Sequence, residues 1–232
     1  PAMILTDDNF ATIVGAVAQG RVLYMNILKA IQFLLSSNLG EVLLIFVATV
    51  LNLGSPLLPI HILWVNLITD SLPALALGME PAEPDVMDLP PRDPRSPIFT
   101  RPLLLRVIYQ GLMIAGLSLA AYLTGALVSP DTGHTMAFAV LAFSQLTHAF
   151  NVRSDQFDIF KDLKLNPGFM RVFLIIVLVQ AFIVNAALIP VPVFAWISNM
   201  FSCVPFPPAG WAAAILLAFT MIPVDLIRKA IV

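Results

Sequence analysis

Two acids and several amides stand where an apolar chain should carry none. Asp70 belongs to the stretch Trp64-Val65-Asn66-Leu67-Ile68-Thr69-Asp70-Ser71-Leu72-Pro73, inside an apolar run from about Leu57 to Met79. An aspartate at mid-membrane costs roughly 2.5–3.5 kcal/mol on insertion scales, so it marks a functional site by default. Asn66, Thr69 and Asp70 are spaced i, i+3, i+4 and share one helix face. Pro73 has no N–H to return to the Thr69 carbonyl, which leaves a backbone oxygen beside three side-chain oxygens. A second set, Ser36-Ser37-Asn38-Leu39-Gly40-Glu41, puts Asn38 and Glu41 at i, i+3 in the preceding apolar run. Gln145 offers either a further oxygen ligand or an interhelical hydrogen bond. Calcium takes roughly six to eight oxygens in flexible geometry, whereas magnesium gives up its water reluctantly. Soft metals would want clusters of Cys, Met or His. The candidate ligands of a hard cation, with calcium fitting best, are therefore Asn38, Glu41, Asn66, Thr69, Asp70 and Gln145. No catalytic or cofactor-binding residue is read.

These side chains need a membrane scaffold. The chain is 59% hydrophobic and 11% charged, and its mean hydropathy is +0.92. A soluble domain carries about 25% charged residues. Spanning segments must be helices or a closed barrel, and unbroken apolar runs without two-residue alternation select helices. The expected fold is all-α, a polytopic bundle of six transmembrane helices at about 30–53, 57–79, 107–128, 136–152, 172–189 and 211–227. All twelve basic residues then fall at the N-terminus, in the second and fourth connections, or at the C-terminus. The positive-inside rule places both termini in the cytoplasm. The short connection from Gly54 to Pro59 pairs the first two spans, so their polar faces can meet.

The remaining segments read as scaffold. Residues 1–29 suggest a helix starting near Phe10, capped from Thr6, Asp7 or Asp8, with Gly15 and Gly20 lowering its continuity. It serves either as a stalk or as a surface helix of an upstream domain. The proline-rich, mixed-charge residues 80–101 form either a stiff connector or a docking surface. Gly40, Gly111, Gly116, Ala120 and Ala121 imply close helix packing. His148 is expected to be packed or interfacial, Gln180 and Asn185 to bond between helices, and Asp225 to be a satisfied surface acid beside Arg228 and Lys229. Residues 190–208 should cap the outer side, with Trp211 as a belt residue. Cys203 is the lone cysteine, so no disulfide forms within this chain. The opening Pro1-Ala2-Met3-Ile4-Leu5 suggests a piece of a longer polypeptide.

The two polar motifs, Ser36 to Val42 and Trp64 to Ala74, closely resemble the fifth and sixth membrane helices of P-type calcium ATPases. Ala2-Met3-Ile4-Leu5-Thr6-Asp7-Asp8-Asn9-Phe10 resembles the family's passage from phosphorylation domain to fifth helix. Met87-Asp88-Leu89-Pro90-Pro91-Arg92 resembles the loop after its sixth. The likeness is specific over residues 1–102 and looser beyond. It implies that residues 1–29 are the stalk from the phosphorylation domain and 30–232 the C-terminal transmembrane domain. It further implies that positions Asn38, Glu41, Thr69 and Asp70 help bind one calcium ion, and Asn66 with Asp70 a second. Gln145 stands where the sarcoplasmic-reticulum subgroup has a glutamate; plasma-membrane-type pumps are more similar there. An acid at position 66 would mark the sodium/potassium branch, and this chain has Asn66.

The resemblance also implies partners outside the chain: four earlier helices and the actuator, nucleotide-binding and phosphorylation domains. No Asp-Lys-Thr-Gly-Thr or Thr-Gly-Glu-Ser motif is present, so Mg2+ and ATP belong to the full-length pump alone. The implied location is the plasma membrane of a prokaryote, with the lipid bilayer as partner and no nucleic acid. Alternatives are a passive channel or exchanger, a structural fragment that binds no ion, and a sodium- or manganese-transporting member of the same family.

Overall fold

The computed structural model describes residues 10–82, 86–88, 90, 97–153 and 166–231. The proposed caps Thr6, Asp7 and Asp8, and most of the loop after residue 82, lie outside the described residues. Within them the fold is all-helical. Helix α1 (Phe10–Val50) is followed by α2 (Pro59–Trp64), a π-helical segment (Val65–Asp70) and α3 (Ser71–Gly78). Next come α4 (Arg101–Ala126), α5 (Pro130–Arg153), α6 (Pro167–Asn185), α7 (Pro192–Phe201), α8 (Pro208–Phe219) and α9 (Met221–Ile231).

Five stretches are long and apolar enough to cross a membrane: Ala11–Val50, Pro59–Gly78, Arg101–Ala126, Pro167–Leu188 and Pro208–Ala230. They correspond to five of the six expected spans. The sixth is α5, whose 24 residues reach about 36 Å at 1.5 Å per residue. Its composition is too polar to count among the five because α5 is the central helix. It packs on α1, α3, α4, α6, α8 and α9, and every residue from Thr135 to Arg153 is buried. A helix enclosed by protein has no lipid to satisfy, so Ser144, Gln145, Thr147, His148 and Asn151 are tolerated inside it.

Helix boundaries follow local chemistry. Helix α1 runs unbroken for 41 residues through Gly15 and Gly20. At about 62 Å it exceeds a bilayer's roughly 30 Å hydrocarbon core. Thr100 caps α4 by accepting from the Leu103 N–H at 3.4 Å, and Asn166 caps α6 by accepting from Phe169 N–H at 2.9 Å. The last span is split at Thr220, because Pro223 cannot donate to the Phe219 carbonyl. Close packing occurs where expected at Gly40 and Gly111: a Cβ on Gly40 would stand 2.7 Å from Ile114 Cγ2, and one on Gly111 3.0 Å from Leu39. Gly116 differs, with open space around it. Gln180 bonds between helices, accepting from Trp64 Nε1 at 3.2 Å. Asn185 does not; its amide donates to Ala181 of its own helix.

Candidate cation site

The π-helical winding falls on the segment that carries Asn66, Thr69 and Asp70. Pro73 lies one turn beyond and cannot return a hydrogen bond to the Thr69 carbonyl, a local reason for the helix to leave the i→i+4 ladder here. Such π-bulges are frequent at functional sites. The segment lies against α1 and α5, so residues distant in sequence converge on one buried point.

Glu41 is its centre. Both its carboxylate oxygens accept from amides: Oε1 from Gln145 Nε2 at 2.9 Å and Oε2 from Asn66 Nδ2 at 2.8 Å. Asn66 also donates to the Ile62 carbonyl at 3.0 Å. Asp70, 1% exposed, lies within electrostatic reach of Glu41 and beside Ser37. Neither Asp70 oxygen has a hydrogen-bond partner. The same holds for Thr69 Oγ1, Ser37 Oγ and Gln145 Oε1, all buried. An unpartnered buried polar atom costs about 1–3 kcal/mol, more if charged, and a bound cation is one partner that would satisfy such oxygens. Half a turn of the Gln145 or Asn66 amide would exchange nitrogen for oxygen toward a cation without backbone movement. The donors are then oxygen throughout. Oxygen donors of this kind suit a hard cation rather than a soft one; among the described residues no group of three or more His, Cys, Asp or Glu gathers.

Of the six expected ligands, Asn66 and Gln145 are hydrogen-bonded to Glu41, Asp70 lies within electrostatic reach of it, and Thr69 is buried on the same π-helical segment as Asp70. Asn38 does not join them. It is exposed, and its amide donates to the Leu34 carbonyl at 2.7 Å. Ser37 and Asn38 flank Glu41 on either side of the helix face, and the bundle covers the Ser37 side. Ser37, four residues before Glu41, was legible by the same spacing rule yet stands outside the expected set.

Other polar groups are engaged in holding the bundle. His148 is packed, its Nε2 2.6 Å from Ser36 Oγ. His61 is fully buried and stacked on Phe138 at 4.3 Å. Its Nδ1 accepts from Leu58 N–H and its Nε2 lies 2.6 Å from the Phe201 carbonyl, tying α2 to α7. Asp225 is not the surface acid expected. It is 2% exposed, bonded by Tyr109, by Arg228 at 2.9 Å and by Lys229 at 3.1 Å. Burial follows because α9 folds this face against α5.

Comparison with known proteins identifies the family. Residues 54–231 match the family described as "Cation transporting ATPase, C-terminus". The chain is 39% identical, over 98% of its length, to "Calcium-transporting ATPase 1" of Bacillus cereus and covers 27% of that protein. It is 38% identical over 92% of its length to "Calcium-transporting ATPase" of Bacillus subtilis, covering 24% of it. "Calcium-transporting ATPase 1" of Lactococcus lactis is 42% identical over 69% of the chain and is covered to 18%. The chain thus spans about a quarter or less of the length of these relatives. With the family match covering most of its residues, the chain belongs to the cation-transporting ATPases, as part of their C-terminal region.

Proposed function

We propose that this chain is the ion-binding transmembrane portion of an ATP-driven calcium pump that exports calcium from the cytoplasm. The observation that carries the reading is the unpartnered oxygens of Asp70, Thr69, Ser37 and Gln145 gathered around Glu41. Two carboxylates balance the charge of one divalent ion, which eases its stay in a low-dielectric interior. The Gln145 and Asn66 amides that donate to Glu41 would turn their oxygens inward to meet calcium. Asn38 stands on the open side of α1, where helices of the full-length pump would close the cage. ATP and Mg2+ act in cytoplasmic domains outside this chain. The long α1 is the stalk through which their movement reaches the site. Both termini lie in the cytoplasm, by the distribution of basic residues, and the membrane is the prokaryotic cell membrane.

Replacing Asp70 with Asn in the full-length pump tests the reading. Calcium-dependent phosphorylation by ATP should be lost. Phosphorylation with unchanged calcium dependence would remove Asp70 from the site. Manganese and sodium in place of calcium test the ion; a response to either alone would reassign the cargo within the family.

A further inference from the structure

A fourth buried carboxylate, Glu80, lies two residues beyond the end of α3 and is held from three sides. Arg153, the last residue of α5, donates Nε to Glu80 Oε1. Asn166, at the start of α6, donates to Glu80 Oε2 at 2.6 Å and to the Ala76 carbonyl at 3.3 Å. From α1, Asn26 donates to the Glu80 carbonyl at 2.7 Å and to that of Gly78 at 3.3 Å. The Arg153 guanidinium also lies over the Phe169 ring, 5.8 Å from its centroid. Glu80, Arg153 and Asn166 are 7%, 4% and 8% exposed.

The position of this clamp relative to the cage is what matters. Asp70 lies ten residues before Glu80, and Gln145 eight residues before Arg153. Asp70 and Gln145 both face Glu41, so α3 and α5 run parallel from cage to clamp. The two paths are about 15 Å and about 12 Å at 1.5 Å per residue. Between clamp and cage, Ser71–Gly78 is regular α-helix, which transmits axial position. The π-helical segment above it is the part able to rewind.

We propose that Glu80 and Arg153 are positioning residues that set the axial register of α3 against α5. The clamp thereby sets the spacing of Thr69 and Asp70 from Gln145 and Glu41. It governs cation affinity without touching the cation. The proposal rests on the cage being the calcium site. Sliding α3 by a fraction of its 5.4 Å pitch would part Asp70 from Gln145 while leaving every cage residue in place in the sequence.

The test is the calcium dependence of phosphorylation by ATP in the full-length pump. Three variants are compared: Glu80→Gln, the double variant Glu80→Gln with Arg153→Met, and Asp70→Asn. In the first two, half-saturating calcium should rise by about 10-fold to 100-fold, the range that loss of an outer partner costs a metal site. Maximal phosphorylation per folded molecule should stay near wild type. The double variant removes both charges, a change buried pairs tolerate better than loss of one. A folded Glu80 variant with wild-type calcium dependence overturns the proposal. So does failure of both Glu80 variants to fold, which assigns the pair to stability alone. Wild-type calcium dependence in Asp70→Asn is a different failure, of the cage itself.

Discussion

Four buried carboxylates among the described residues divide into two pairs. Glu80 and Asp225 are each met by protein cations: Arg153 in one case, Arg228 and Lys229 in the other. Glu41 is met only by neutral amides, and Asp70 by no hydrogen-bond donor. All four are nearly solvent-free, so burial does not distinguish them. The partners do. A carboxylate with a fixed cation has its charge compensated for good and serves the fold. A carboxylate whose charge no protein cation meets is what the proposed calcium site requires.

The comparison can be broken most directly by apolar replacement. Glu80→Leu removes the buried carboxylate to which Arg153 and Asn166 donate and should lower unfolding stability by about 3–5 kcal/mol. Asp70→Leu strands no cation and removes two unpartnered oxygens, so the metal-free protein should be as stable or more so. Denaturant unfolding in detergent, without calcium, reads both; equal losses would erase the distinction. The next effect is that of the ligand. Calcium at about 100 times its Kd should stabilise the folded wild type by about 2.7 kcal/mol, seen as a raised Tm. The gain should vanish in Asp70→Asn and persist in Asp225→Asn.

A smaller change sharpens the contrast. Gln145→Glu adds a third acid to the cage and removes the amide that now donates to Glu41. It should tighten calcium by about tenfold, roughly 1.4 kcal/mol, while lowering stability in chelator. Calcium titration of phosphorylation and thermal melts in chelator check the two halves. The smallest effect concerns Cys203, outside the cage and the spans. Burial pushes its thiol from 9.0 up to about 12, against a smaller downward effect of the Thr135 hydroxyl. Because the thiol stays protonated through neutral and mildly alkaline pH, maleimide labelling at pH 8 should be slow in the folded protein. It should reach the rate of an ordinary thiol only on unfolding.

Much of this was legible in residue types. The apolar runs fell on all five candidate spans, though α1 begins at Phe10 rather than near residue 30, and the acids within them, Glu41 and Asp70, are buried. The six-helix layout also holds if α5 is counted, although its composition hides it. What spacing could not say is which side of a helix the bundle covers. Ser37 and Asn38 are neighbours flanking Glu41, and only Ser37 is enclosed. Nor could spacing distinguish a surface acid from a buried one near a helix end, as with Glu80 and Asp225. Their partners Arg153, Asn166 and Tyr109 are 73, 86 and 116 residues away.

By itself, the sequence determined that the chain must be helical and membrane-embedded, and that Glu41 and Asp70 need a reason to be there. Both conclusions follow from the cost of placing backbone and charge in hydrocarbon, a property of each residue alone. Only the tertiary structure decided which carboxylates have their charge met by the protein. That depends on which distant side chains packing brings within about 3 Å. It matched Glu80 with Arg153 and left Asp70 without a protein cation, whereas the cations of Asp225 are its sequence neighbours Arg228 and Lys229.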